Sequence, residues 1–152
     1  MQFSTRQWFL IAIILAVMAA GGLIAFRATH TEAQVEPPIS ARISQDTLEA
    51  QYGMHVNLLA VTGAGGFVDV RIRIVDGEKA KLLLGDAKNF PALLTGRNVV
   101  LNAPADTKSQ EIRYDNGGMM FIMYSNSGNA VKRGEPVNIL FGDVAVEAIN
   151  AQ

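Results

Sequence analysis

Apolar residues occur in two regimes along this chain. Residues 8–26, WFLIAIILAVMAAGGLIAF, form one uncharged run of nineteen. From Ile39 onward the apolar positions come in short runs that alternate with polar ones and stop at Gly, Pro, Asn or Asp. A period of two between such breaks is the mark of half-buried strands joined by turns.

Residues 54–62 and 67–75 are two of these runs, and Gly63-Ala64-Gly65-Gly66 between them predicts a β-hairpin. In the second run Val68, Val70, Ile72 and Ile74 share one face, while Asp69, Arg71 and Arg73 share the other. The charged face reads as a wet surface with cross-strand ion pairs rather than an anion-binding stripe. Ile39, Ala41 and Ile43 predict a short first strand. Residues 45–50 predict one helical turn with Asp46 and Glu49 at capping-box spacing. Asp76 has the chemistry of an N-cap for a two-turn helix over 79–84, with Gly85 as its left-handed stop.

Further along, residues 91–95 and 98–102 flank Gly96-Arg97, and residues 111–114 and 119–124 flank Asp115-Asn116-Gly117-Gly118. Both predict hairpins, the second with the strongest short-range signal there is, Asn-Gly between apolar runs. Gly142-Asp143, between residues 137–141 and 144–149, reads as a turn or as a bulge in one strand. About eight strands and one short helix point to an all-β fold, an antiparallel immunoglobulin-like β-sandwich, with a single transmembrane helix before it.

The long run reaches about 28 Å as a helix, against about 30 Å of bilayer hydrocarbon. Arg6 and Trp8 before it, with Arg27 and His30 behind it, stand where headgroups would be. A cleaved signal peptide ending at Thr31-Glu32-Ala33 is the competing reading. The apolar stretch exceeds the usual signal core, so a retained signal anchor is favoured. The organisation that follows is a cytoplasmic tail over 1–7, an anchor over 8–26, an extended linker over 27–38 ending in Pro37-Pro38, and an extracytoplasmic domain over 39–152. Arg6 and the amino terminus favour a cytoplasmic N-terminus. Ala12, Ala16 and Ala20 lie on one helix face at a spacing of four, which lets another membrane helix approach closely.

Charge narrows the function classes. Thirteen Lys plus Arg against fourteen Asp plus Glu leave a net charge of −1, so no basic field exists for nucleic acid. The chain has no cysteine, which removes disulfides, thiolate nucleophiles, zinc thiolate sites and a lipoprotein anchor together. His55 is the single histidine after the linker, so a Ser-His-acid hydrolase would have to be built on it, and no phosphate-loop, dinucleotide, zincin or EF-hand motif occurs. An enzyme is therefore not expected, and no cofactor is expected.

The residues Tyr52-Gly53, the run over 65–73 (GGFVDVRIR), Asp76 with Lys79-Ala80, and Phe141-Gly142-Asp143-Val144 with Glu147 carry a resemblance. They look like a group of uncharacterised bacterial membrane-anchored proteins with an extracytoplasmic β-domain. The resemblance implies localisation in the bacterial inner membrane and this architecture, and it transfers no functional residue.

Two chemistries are worth placing on the fold. His55, Met54, Met119 and Met123 are soft ligands that would suit copper if their strands converge. Alternation sets Met119, Phe121 and Met123 on one face and Met120 on the other, which divides the methionines. The aromatics Tyr52, Phe67, Phe90, Tyr114, Phe121 and Tyr124 are spaced as core and rim rather than as one ligand surface. The expectation is a non-catalytic interaction module or accessory subunit of a membrane complex, with the lipid bilayer and another membrane protein as partners. Copper handling is the alternative.

Overall fold

Residues 37–108 and 112–152 are described by the computed structural model, and the short apolar runs among them become nine strands. In chain order the elements are β1 (Ala41–Ile43), α1 (Gln45–Tyr52), β2 (Met54–Thr62), β3 (Phe67–Ile74), α2 (Gly77–Leu84), β4 (Ala92–Thr95), β5 (Val100–Asn102), α3 (Ala105–Lys108), β6 (Met119–Ser125), β7 (Pro136–Phe141), β8 (Val144–Val146) and β9 (Ile149–Asn150). The proposed anchor, with Ala12, Ala16 and Ala20, lies outside the described residues. Among the described residues no helix is long and apolar enough to cross a membrane.

Two sheets enclose one core. The smaller runs β2-β3-β6 and the larger β1-β8-β7-β4-β5, with β9 also on β7. Val68, Val70, Ile72 and Ile74 of β3 turn inward and meet Leu93, Val137, Ile139 and Phe141 of the other layer. A second, smaller cluster of Leu94, Leu140 and Ala145 lies apart from that core, and Ile39 packs against it. An all-β sandwich is thus what the alternating pattern builds.

Its wiring departs from the expected fold in several places. β1 pairs with β8 in parallel, so the domain is not purely antiparallel. The smaller sheet takes the second, third and sixth strands, whereas an immunoglobulin domain builds its three-stranded sheet from the third, sixth and seventh. Three α-helices form among the described residues instead of one. The first extends to eight residues because Ser44, ahead of the expected capping pair, accepts from the Thr47 amide. Gly85 does end α2 but with φ −66°, right-handed rather than left-handed. The chain turns there into a 3-10 turn at Ala87–Asn89, capped by Asp86.

The largest departure concerns Asp115 to Gly118. The turn is there, with the Gly118 amide bonded to the Asp115 carbonyl, but it does not close a local hairpin. Residues 112–115 are not a strand, and β6 pairs instead with β3. The turn is docked on the end of that strand: Ile74 donates to Gly118 O at 2.8 Å and Gly117 to Ile74 O at 2.7 Å. Asn116 Oδ1 accepts from the first amide of α2, Gly77, at 2.8 Å. Burying Ile122 and Tyr124 against the core outweighs the local turn preference.

Other turns fall as expected. The hairpins β2–β3, β4–β5 and β7–β8 all form, and Gly142, φ 62°, makes Gly142-Asp143 a turn rather than a bulge.

Tyr52-Gly53, Asp76 with Lys79, and Gly142-Asp143 join helices and strands. Gly53 ends α1 in the left-handed region, φ 57°, and its carbonyl accepts from Val75 and Asp76. Asp76 caps α2, and Lys79 Nζ reaches back to the Ala50 carbonyl of α1 at 2.9 Å. Asp143 accepts from Ser40 Oγ at 2.6 Å.

Candidate functional site

The outer face of the smaller sheet gathers most of the side chains singled out above. β3 presents Phe67, Asp69, Arg71 and Arg73, and the register sets them against Ser125, Met123, Phe121 and Met119 of β6. On the other side His55 opposes Arg73, Leu58 opposes Arg71 and Ala60 opposes Asp69. A bulge between Val56 and Leu58 re-phases β2, so that Met54 and Val56 point inward before it and Leu59 and Val61 after it. Leu58 therefore stands on the outer face with His55, not opposite to it.

Apolar side chains dominate the β6 side of this face. Phe121 is 62 % exposed, and Met119, Met123 and Phe67 are exposed with it. Phe121 was expected in the core or its rim; Tyr124, on the opposite face of the same strand, is the one that is fully buried. Arg71 lies over the Phe121 ring, 5.5 Å from its centroid, and pairs with Asp69 through Nη2 at 2.8 Å and Nε at 3.1 Å. Hydrogen bonding to Asp69, then its charge, raise the guanidinium pKa above its ordinary value. The central ion pair is thus made within β3 and not across strands as expected, while Met119, Met123 and Phe121 beside it remain exposed.

The proposed copper ligands do not converge. Met54 is fully buried in the core. His55 points the other way, and its Nδ1 lies 2.8 Å from Glu49 Oε2 on α1. Arg73 separates His55 from Met119 across the sheet, two strand spacings or about 10 Å. Met119 and Met123 share the outer face of β6, four positions apart. Among the described residues no group of three or more His, Cys, Asp or Glu is placed to hold a metal ion.

The two edges of this sheet are treated differently. At β2, Gln45 spans the Val56 backbone, accepting from its amide at 3.2 Å and donating to its carbonyl at 3.0 Å. Gln152 bonds Leu59 and Val61 further along. Among the described residues β6 pairs with β3 alone. A groove of about 510 Å³ runs beside its first half, lined by Met119, Met120 and Phe121 on one side and Thr107, Ile112 and Arg113 on the other. Sequence reasoning found the exposed methionines by alternation but missed Gln45, whose role depends on an edge that only the strand order creates.

No protein-family model, no curated protein and no solved structure matches this chain.

Proposed function

We propose that this chain is a single-pass inner-membrane protein whose β-sandwich works outside the cytoplasm as a non-catalytic interaction module, an accessory subunit of a larger membrane complex. The observation that carries this reading is the exposed stripe Met119, Phe121 and Met123, which ends at a sheet edge that no other described strand covers. Apolar side chains gathered on one patch mark interaction sites more often than scattered ones do. The uncharged run over 8–26 supports the tether.

The test is isolation of the full-length chain from its native membrane in mild detergent, followed by crosslinking. A crosslinked complex that weakens when Phe121→Lys is introduced supports the module. A chain that stays monomeric, with nothing crosslinked to it, overturns it.

A further inference from the structure

We infer that the partner of the β6 edge is a second copy of this chain, paired antiparallel through β6 about a two-fold axis at Phe121. This deepens the interaction reading above and rests on it.

Three observations lead there. The first is the direction of the backbone groups that β3 does not take. The Gly118 carbonyl and the Asn126 amide, at the two ends of β6, both bond toward β3. Antiparallel ladders alternate, so Met120, Ile122 and Tyr124 also turn their amides and carbonyls to β3. Those of Met119, Phe121 and Met123 then point to the edge that no other described strand covers. The residues with exposed apolar side chains are the same ones that offer a ladder.

The second is self-complementarity. An isologous pair needs a surface that matches itself under a two-fold axis. With the axis at Phe121, that residue faces its own twin, Met119 faces Met123 of the second copy, and Met123 faces Met119 of the second copy. Each of these three facing pairs is apolar, and each can exchange two backbone hydrogen bonds. The sheets then join as one, in the order β2-β3-β6-β6-β3-β2.

The third is charge. Edge strands are normally protected by lysine, proline or other charges. Met119–Ser125, MMFIMYS, has none. In the paired register each row beside the axis runs Arg73, Met119, then Met123 and Asp69 of the second copy, so its two ends carry opposite charge. Within these rows like charges meet only as the two Arg71 groups, about 14 Å apart across three strand spacings and each already paired with its own Asp69.

The natural absence of cysteine makes the register directly readable. The experiment uses the full chain in mild detergent, with single cysteines and a mild oxidant. Phe121→Cys is expected to form a disulfide-linked dimer. Met119→Cys mixed with Met123→Cys is expected to give the mixed dimer, whereas Met119→Cys alone should stay uncrosslinked, since its two copies would lie about 13 Å apart along the ladder. Without oxidant, Phe121→Asp should weaken dimerisation at least about tenfold by sedimentation. Its circular dichroism should match the parent, because the side chain is exposed. Met123→Lys, a second exposed position, guards against a folding defect. A monomer with no crosslink to anything overturns both this proposal and the interaction module. A complex with a different protein and no Phe121→Cys dimer overturns the second copy alone, as does a dimer insensitive to Phe121→Asp.

Discussion

The phenolic hydroxyl of Tyr124 donates to the carbonyl oxygen of Pro91 at 2.9 Å, a bond that ties β6 of one sheet to the residue leading into β4 of the other. It is the polar contact of an otherwise apolar core position. Tyr124→Phe keeps the ring and leaves the Pro91 carbonyl without this donor, and it should cost about 1–3 kcal/mol of stability. Denaturant titration of the parent and the variant, with equal slopes, measures the difference.

Burial also raises the pKa of this phenol above its ordinary value of 10. A group raised in the folded state stabilises fully below its unfolded pKa and loses that contribution as pH climbs toward the folded value. The parent should therefore weaken above about pH 10, where the unfolded phenol ionises and the folded one does not. Tyr124→Phe lacks that loss, so the stability gap between the two should narrow between about pH 10 and 11. A gap that stays constant would show that the phenol ionises equally in both states.

Asn126 is buried and uses both ends of its amide. Nδ2 donates to Gly65 O and Val131 O, and Oδ1 accepts from the Val131 amide at 2.9 Å. Asn126→Ala strands three backbone groups and should cost about 2–4 kcal/mol by thermal or chemical unfolding. Asn126→Asp restores the acceptor but not the donor, so it should also destabilise, and a rescue by aspartate would contradict the assigned bonds.

Two glycines separate crowding from conformation. A Cβ at Gly77 would collide with the Tyr114 carbonyl, while one at Gly117 meets nothing, although Gly117 has φ 83°. Gly117→Ala pays backbone strain alone, about 1–2 kcal/mol. Gly77→Ala must displace the segment over 112–115 from α2 and should be the more damaging of the pair, as melting temperatures would report.

Titration with Cu(I) should give no site tighter than micromolar. Met54 is sealed in the core and His55 is held by Glu49, which leaves no convergent soft set among the described residues. A tight stoichiometric site lost in Met119→Leu or Met123→Leu would return copper handling to the function of this chain.

The strands were easiest to foresee where polar residues interrupt the apolar ones. In β3, Asp69, Arg71 and Arg73 fix the phase, and the buried and exposed positions follow. In β2 the segment Leu58-Leu59-Ala60-Val61 is apolar throughout, so alternation has no mark there and the bulge at Asn57 leaves no trace in the pattern. Asp115 to Gly118 teaches a different lesson. Turn chemistry is local and was legible, but the partner of β6 is decided by which surface buries Ile122 and Tyr124, fifty residues away in sequence. The candidate surface divides in the same way. That Met119, Phe121 and Met123 share a face follows from the period of a strand, whereas their place at an edge follows from the order β2-β3-β6, which no local pattern encodes.

The parallel pairing of β1 with β8 has a mechanical meaning. A load drawn through Pro37 and Pro38 along the strand axis reaches β1 first, where the register Ala41 to Val144, Arg42 to Ala145 and Ile43 to Val146 places all its bonds side by side. Such bonds are strained together in shear instead of parting one at a time, and the Ser40 to Asp143 contact stands ahead of them as a latch. Pulled from that end, the domain would hold until the whole clamp slipped, and the strand nearest Pro37 and Pro38 would set the force at which it lets go.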